Sequence, residues 1–149
     1  MITFQREKWS DCVAEMRPLW PEHYEELSTN KDSIYLDCDE AKYEQGEAGG
    51  QLYLVTARAD GKLAGYYYGI LMGHLHYKSA GLMCYTDAYY LKPEYRGING
   101  LRFIAAVIKG LRGLGVVKLY ATTKVHLDMT KLWEFFGLKH TDNLLSGLL

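Results

Sequence analysis

The stretch from Asp87 to Ile104 reads DAYYLKPEYRGINGLRFI, the composition of a strand that passes through a glycine-bearing turn into a helix. Gly97 and Gly100 lie in that turn, and glycine lets the backbone approach a ligand closely because it carries no Cβ. The first amides of a helix have no partner inside the helix, and with the helix dipole they attract anions. The pattern therefore predicts a phosphate or pyrophosphate site where this helix begins.

The glycine spacing excludes the best-known phosphate motifs. It does not read G-x-x-x-x-G-K-[ST], which excludes a P-loop, and it does not read G-x-G-x-x-G, which argues against a dinucleotide-binding fold. A turn that needs glycine for purely structural reasons is the alternative. Taken alone, the loop leaves both interpretations open.

Hydrophobic periodicity and turn residues predict the elements that hold this turn in place. The first 45 residues read as helical. Ser10-Asp11 caps a first helix that ends near Met16, and two further helices span Pro21 to Leu27 and Asp37 to Gln45. An antiparallel meander of three strands follows, and after it a helix, a buried strand and a last helix. The predicted ranges are 51–59, 62–77 and 82–91 for the meander, and 100–111, 116–122 and 129–136 for the later elements.

This order of elements predicts one α+β domain over residues 1–149, with a mixed twisted sheet flanked by helices. The tail 138–149 is long enough for a final strand. Gly65, Gly69 and Gly73 share one face of the second meander strand, which predicts a close neighbour there, either a helix or a ligand.

Two segments resemble motifs of the GNAT N-acetyltransferases. Residues 91–101, LKPEYRGINGL, resemble the acetyl-CoA-binding motif, in which a strand ends, a P-E-Y-R-G turn follows and a glycine-bearing loop enters a helix. Residues 132–138, LWEFFGL, resemble the C-terminal L-Y-E-x-x-G-F segment. The usual loop reads R-x-x-G-x-G or R-x-x-G-x-A, whereas Asn99 and Leu101 take its fourth and sixth positions here. Read as R-G-x-x-G, the loop resembles small phage-encoded and related members.

The resemblance covers residues 51–140 and implies the GNAT fold, with acetyl-CoA as cosubstrate. It implies transfer of the acetyl group to a primary amine by direct attack in a ternary complex. The backbone amides of residues 97–101 would hold the CoA pyrophosphate, and the strand backbone would run beside the pantetheine arm. The implied cofactor-binding residues are Tyr90, Leu91, Arg96, Gly97, Ile98, Asn99, Gly100, Leu101, His126 and Trp133.

Asp87 is the candidate for the base. An amine with a pKa of about 10.4 arrives protonated at neutral pH and must lose a proton before it attacks. Asp87 precedes Arg96 by nine residues, and many family members carry an acidic residue near that offset. Strict alternation places Tyr85, Asp87 and Tyr89 on one strand face, which predicts the acceptor pocket. The alternative is that Asp87 only bonds the backbone or a tyrosine hydroxyl.

The donor of the second proton is the point where this chain departs from the family motif. The family often supplies a tyrosine in the L-Y-E triplet, and Trp133 takes that position here. An indole N–H donates a hydrogen bond but cannot transfer a proton. His126 is the candidate substitute, because it falls where many members carry an asparagine facing the cofactor and an imidazole titrates near neutral pH. A histidine that merely caps the strand end is the alternative.

Composition excludes several classes of partner. The formal net charge is −1 and no basic block stands out, so the footprint of a nucleic-acid binder is missing. No apolar run approaches the roughly 18 residues of a membrane span, and residues 1–8 contain no signal-peptide core.

Cys12, Cys38 and Cys84 fit neither a disulfide framework nor a zinc pattern, which predicts reduced thiols in the cytoplasm. His74 and His76 share a strand face but lack a third ligand, so no metal site is predicted.

Two functions therefore remain after the sequence is read. One is an active N-acetyltransferase for a small amine or a protein amino group. The other is a catalytically weak or inactive GNAT-like module that binds acyl-CoA or a protein, which Trp133 and the altered loop favour. The acidic N-terminal helices indicate a cationic acceptor, and the family makes a homodimer plausible.

Overall fold

The chain begins with a strand, which corrects the prediction that the first 45 residues are helical. In the computed structural model, which describes residues 1–149, β1 (Ile2–Arg6) pairs antiparallel with β2 (Leu52–Ala59). Ile2 and Phe4 pack against the core, and the side chains between and after them are exposed. A strand of five residues shows too few alternations to be recognised locally, and its partner is distant along the chain.

The sheet has the strand order β1-β2-β3-β4-β5, where β3 is Lys62–Gly73, β4 is Leu82–Leu91 and β5 is Val116–Tyr120. All neighbouring strands are antiparallel except β4 and β5, which are parallel. The predicted meander is thereby confirmed. The predicted second strand, 62–77, is too long. β3 ends at Gly73 because residues 74–77 form a turn, in which the Tyr77 amide donates to the His74 carbonyl at 3.2 Å.

Helices cover both faces of the sheet. One layer contains α1 (Trp9–Met16), α2 (Trp20–Leu27) and α3 (Glu40–Ala48), which pack on the sheet face of Tyr66, Tyr68 and Tyr90. The other layer contains α4 (Ile98–Gly113) and α5 (Thr130–Phe135), which bury Phe103 and Trp133 against the opposite face. Short 3₁₀ turns lie at 17–19, 78–80 and 93–95.

Two helices begin at other residues than predicted, one because of a long-range contact and one because of a local cap. The amide of Trp9, at the start of α1, donates to the carboxylate of Glu47 in α3 at 2.5 Å, so the expected Ser10-Asp11 cap is not used. Asp39 caps α3 by accepting from the Lys42 amide at 3.2 Å. Because that side chain satisfies a first-turn amide, α3 begins after Asp39 rather than at Asp37.

The glycine face of β3 is closed by the neighbouring strand β4 at Gly65 and Gly69, whereas Gly73 faces open space. A Cβ on Gly65 would lie 2.4 Å from the Tyr90 carbonyl oxygen, and one on Gly69 would lie 2.5 Å from the Cys84 sulfur. Residues 138–149 form no strand, so the predicted final strand is wrong. None of the helices combines the length and the apolar character needed to cross a bilayer.

Candidate functional site

The strands β4 and β5 separate halfway along β4. Their parallel pairing extends only from Leu82 to Tyr85 on β4, so residues 86–91 have no partner on that side. A cavity of about 240 Å³ lies against this unpaired stretch. It is lined by Tyr89, Tyr90 and Leu91 of β4, by Gly97, Gly100 and Leu101 of the following loop and helix, and by residues of α2. We call it the small cavity.

The first amides of α4 are free, as the glycine loop predicts. The amides of Gly97, Ile98 and Asn99 donate to no acceptor in the protein, whereas the Gly100 amide donates to the Gly97 carbonyl at 3.0 Å. Gly97 adopts φ 78° and ψ −128°, a conformation essentially reserved for glycine. The Asn99 side chain turns back and donates to the Tyr95 carbonyl at 3.1 Å. Three amides thus remain available to an anion beside the small cavity.

Arg96 reaches the site, but its guanidinium is already engaged. Nε donates to the Leu91 carbonyl at 2.8 Å, and the two terminal nitrogens donate to the Glu26 carboxylate at 2.7 and 2.6 Å. This paired, planar arrangement holds the loop against α2. The side chain of Arg96 therefore positions the loop, and the groups left free for an anion are backbone amides.

A β-bulge at Asp87 interrupts the alternation of β4. Tyr68 of β3 lies opposite Ala88, but the next residue, Gly69, lies opposite Thr86. Asp87 is thus the extra residue of the bulged strand. A bulge of this kind sends two consecutive side chains to the same side and reverses the pattern beyond it.

The bulge corrects the predicted acceptor face. Asp87 and Ala88 both line a cavity on the side of α1 to α3. Tyr89 turns to the opposite side, where its ring lies 5.5 Å from that of Phe103. The prediction that Tyr89 shares a face with Tyr85 and Asp87 is therefore wrong, because the register shift falls between them. Tyr85 lines neither cavity.

Asp87 keeps one carboxylate oxygen free. The Tyr43 hydroxyl donates to Oδ2 at 2.6 Å, and Oδ1 has no partner in the protein. Burial, together with the Asp87 carboxylate, raises the pKa of Tyr43 well above its usual range, so Tyr43 stays a donor. The tyrosine hydrogen bond that was the alternative role for Asp87 is present, but it occupies only one oxygen of an exposed carboxylate.

The cavity that Asp87 lines is the larger of the two, with a volume of about 620 Å³. Its floor is the β3–β4 surface, and its walls come from α2, from α3 and from the segment 34–39 between them. His23 and Leu27 of α2 line both cavities, so the two spaces adjoin along this helix. We call the cavity of about 620 Å³ the large cavity.

Tyr89 carries a free hydroxyl in the small cavity. The hydroxyl makes no hydrogen bond within the protein, and a Cβ placed on Gly100 would lie 3.4 Å from it. Burial raises the pKa of Tyr89 to about 12, so the side chain is protonated at neutral pH. Tyr89 thus lies beside the free amides of α4, where its hydroxyl can donate a hydrogen bond.

The two C-terminal residues predicted by resemblance line neither cavity. Trp133 is 4% exposed, and its indole N–H is buried without an acceptor. Its ring lies 6.4 Å from that of Tyr89, so Trp133 packs against Tyr89 without lining the small cavity. His126 is exposed and its Nε2 lies 3.1 Å from the Glu26 carbonyl oxygen, a contact that ties the turn after β5 to α2.

Sequence reasoning did not single out His23, because nothing local distinguishes a histidine on an amphipathic helix. Its Nδ1 lies 2.8 Å from the Tyr66 hydroxyl oxygen, and its ring stacks on Tyr90 at 5.0 Å. Burial lowers the pKa of His23 to about 4. The imidazole is therefore neutral in the folded protein at the junction of the two cavities.

We expect His23 to make the protein acid-sensitive. Since its pKa falls from 6.5 in the unfolded chain to about 4 in the folded state, its contribution is complete above pH 6.5 and is lost as the pH falls towards 4. The free energy of unfolding, measured with urea, should decrease by about 2–3 kcal/mol as the pH falls from 6.5 to 4. His23→Gln should flatten this dependence of stability on pH, whereas His140→Gln at an exposed position should not. Equal slopes in all three proteins would contradict the assignment.

Comparison with known proteins agrees with this geometry. The profile described as "Acetyltransferase (GNAT) family" matches residues 14–138. The chain belongs to the GNAT acetyltransferase family. The fold is the GNAT fold that the resemblance implies, a curled mixed sheet of five strands flanked by helices. No curated protein sequence matches the chain.

Solved GNAT structures superimpose over almost the whole chain. Glucosamine-6-phosphate N-acetyltransferase from Arabidopsis thaliana is 13% identical, with a TM-score of 0.73 over 99% of this chain and 98% of the other. Ribosomal-protein-alanine N-acetyltransferase from Brucella melitensis is 18% identical, with a TM-score of 0.73 over 100% and 97%. A predicted acetyltransferase with acetyl-CoA from Clostridium acetobutylicum is 14% identical, with a TM-score of 0.71 over 99% and 96%. At these identities the likeness concerns the fold, and the narrower resemblance to phage-encoded members stays a prediction.

Proposed function

We propose that this GNAT protein transfers an acetyl group from acetyl-CoA to a primary amine in a ternary complex. The observation that carries the proposal is the set of three amides without acceptors, at Gly97, Ile98 and Asn99, beside a cavity where β4 has lost its partner strand. The unpaired cysteines support a cytoplasmic location.

The residues present fit acetyl-CoA. The three amides match the oxygens of a pyrophosphate, and open space lies over Gly97, where a Cβ would meet no atom within 4 Å. The β4 backbone has no strand partner on this side beyond Tyr85, and although the Leu91 carbonyl accepts from Arg96, its other groups offer hydrogen bonds to an amide-bearing arm that runs past Tyr90 and Leu91. When bound, acetyl-CoA supplies a thioester whose carbonyl carbon an amine can attack.

Asp87 is the proposed proton acceptor. Holding an amine of pKa about 10.4 in its neutral form at pH 7 costs about 4–5 kcal/mol, which a carboxylate beside the amine can offset by taking the proton. Asp87 lines the large cavity with its Oδ1 free of partners, and Tyr43 fixes the orientation of the carboxylate through Oδ2. The proton leaves the ammonium nitrogen, and the nitrogen lone pair becomes available for attack.

Tyr89 is the proposed hydrogen-bond donor to the departing sulfur. A thiol with a pKa of roughly 8.5 leaves without much help, so we expect Tyr89→Phe to lower kcat only about 10-fold. The Kd for acetyl-CoA should change less than twofold, by roughly 0.4 kcal/mol at most. Steady-state kinetics and titration calorimetry would measure both quantities. Tyr85→Phe, on the same strand but outside both cavities, is the matched control, and an equal loss in both variants would contradict the role of Tyr89.

Isothermal titration with acetyl-CoA tests the proposal directly. Binding with micromolar to millimolar affinity, followed by release of free CoA when an amine is added, is the expected result. Absence of heat and of any thermal shift at millimolar acetyl-CoA would overturn the proposal. Desulfo-CoA is a control that retains the pyrophosphate and should bind without supporting turnover.

The second candidate is a GNAT-like module that binds acyl-CoA without catalysis. Trp133 favours it, because the family position of the tyrosine acid holds a buried indole that cannot give up a proton. Binding of acetyl-CoA without CoA release across a panel of amines would support this candidate over the enzyme.

A further inference from the structure

The large cavity is lined mainly by aromatic and aliphatic side chains. Tyr66 and Tyr68 lie beneath its floor as a stacked pair, only 1% and 3% exposed, with ring centroids 4.7 Å apart and ring planes 6° from parallel. Ile70 and Ala88 extend the floor, and Trp20 stands at its side. The apolar surface open to a ligand therefore comes from the half-buried Trp20, Ile70 and Ala88 and from the exposed Tyr35, and an open aromatic ring of this kind binds apolar bodies and attracts a cation.

The polar tips of these aromatic residues are already used within the protein. The Tyr68 hydroxyl donates to the Met16 sulfur at 3.1 Å and accepts from the Trp20 indole at 3.3 Å. The Tyr66 hydroxyl is paired with His23, and the Tyr43 hydroxyl with Asp87. A ligand rich in hydroxyl groups would lose its hydrogen bonds to water here and find none of these aromatic polar groups free to replace them.

The charges around the large cavity suit one positive charge and no phosphate. Asp39 is neutralised by Lys42, whose Nζ lies 2.8 Å from Oδ2. Asp37 and Asp87 remain against a single unpaired cation, Lys124. No arginine lines this cavity, so the paired donors that bind phosphate tightly are missing.

The rim of the cavity is apolar as well. Ile34, Tyr35 and Leu36 are exposed at 54%, 74% and 43%, and all three line the cavity. The Tyr24 hydroxyl donates to the Ile34 carbonyl at 2.7 Å, which fixes this segment to α2. An apolar ligand would cover these side chains, whereas a sugar would leave them facing polar groups.

We infer that the acceptor is a monocationic primary amine carried on a compact apolar or aromatic body, of the arylalkylamine class. The inference rests on the proposed acetyl transfer and adds the acceptor class to it. The apolar lining holds the body, Asp87 on β4 attracts the ammonium group, and Asp37 on the 34–39 segment adds to the negative charge around it. A cavity of about 620 Å³ accommodates a molecule of this size.

An acceptor panel at saturating acetyl-CoA tests the class. We expect kcat/KM for 2-phenylethylamine to exceed that for glucosamine 6-phosphate, an aminoglycoside or an alanine-initiated peptide by about 100-fold, the discrimination available to a shaped apolar pocket. A higher kcat/KM for any of the three polar acceptors would overturn the acceptor class and leave acetyl transfer intact. Acetyl-CoA binding with no turnover of any amine would overturn the enzymatic function and this inference with it.

Two variants locate the amine in the large cavity. Ala88→Leu narrows the floor and should raise KM for 2-phenylethylamine about 10-fold, with little effect on KM for methylamine. Ala105→Leu, on the exposed side of α4, is the matched control. Leu36→Ser at the exposed rim should raise the same KM about threefold without a folding penalty. Equal KM effects on both amines, or none with either variant, would overturn the placement.

Discussion

Asp87→Asn should lower kcat for the preferred amine by about 10²–10³-fold, the usual contribution of a positioned general base. The amide has nearly the same shape and can still accept from the Tyr43 hydroxyl, so the bulge and the cavity should persist. Because only the neutral fraction of the amine then reacts, kcat/KM of the variant should rise about tenfold per pH unit from pH 7 to 9. Steady-state kinetics across this pH range would measure both effects.

The matched control for Asp87 is the other unpaired aspartate of the large cavity. Asp37→Asn removes the same charge from the same cavity, but Asp37 lies on the 34–39 segment rather than on β4. We expect it to raise KM a few-fold, on the order of 1 kcal/mol of lost attraction, and to leave kcat unchanged. The acetyl-CoA Kd should be unchanged in both variants. A fall in acetyl-CoA affinity as large as the fall in kcat would show that Asp87 organises the site and is not the base.

The free amides at the start of α4 could be predicted from sequence because their signals are local. A strand, a turn with Gly97 and a helix follow one another between Asp87 and Gly113, and no distant residue is needed to free the first amides. The position of Asp87 on β4 was predicted for the same reason. Its neighbours were not, because alternation holds only while the register is constant, and the bulge that moves Tyr89 appears only when β3 and β4 pair.

The remaining site residues depend on contacts between distant parts of the chain. Arg96 looks like a phosphate ligand until Glu26, 70 residues earlier, is placed beside it. His23 and Leu27 connect the two cavities only because α2 packs across β4. No periodicity or spacing marks such pairs, so sequence reasoning placed the chemistry at the loop and missed the helix that completes it.

Ile98→Pro should weaken acetyl-CoA binding about 10- to 100-fold. The substitution removes one of the three free amides, and a hydrogen bond to a charged acceptor is worth about 1.5–3 kcal/mol. Proline is well tolerated at the first position of a helix, where its missing N–H has no intrahelical partner. Ile98 is the first residue of α4 and 66% exposed, so the fold should be retained. Titration calorimetry with acetyl-CoA and with desulfo-CoA would measure the loss.

Ile98→Ala separates the amide from the side chain. Alanine removes the same exposed isoleucine but keeps the N–H, so its Kd should stay within about twofold of the parent, roughly 0.4 kcal/mol. Thermal unfolding of the two variants should agree to within a few degrees, about 1 kcal/mol. If both variants bind acetyl-CoA as the parent does, the amide of Ile98 does not hold the pyrophosphate. If both lose affinity equally, the isoleucine side chain is the contact. Only a loss confined to proline assigns the binding energy to the backbone at the start of α4.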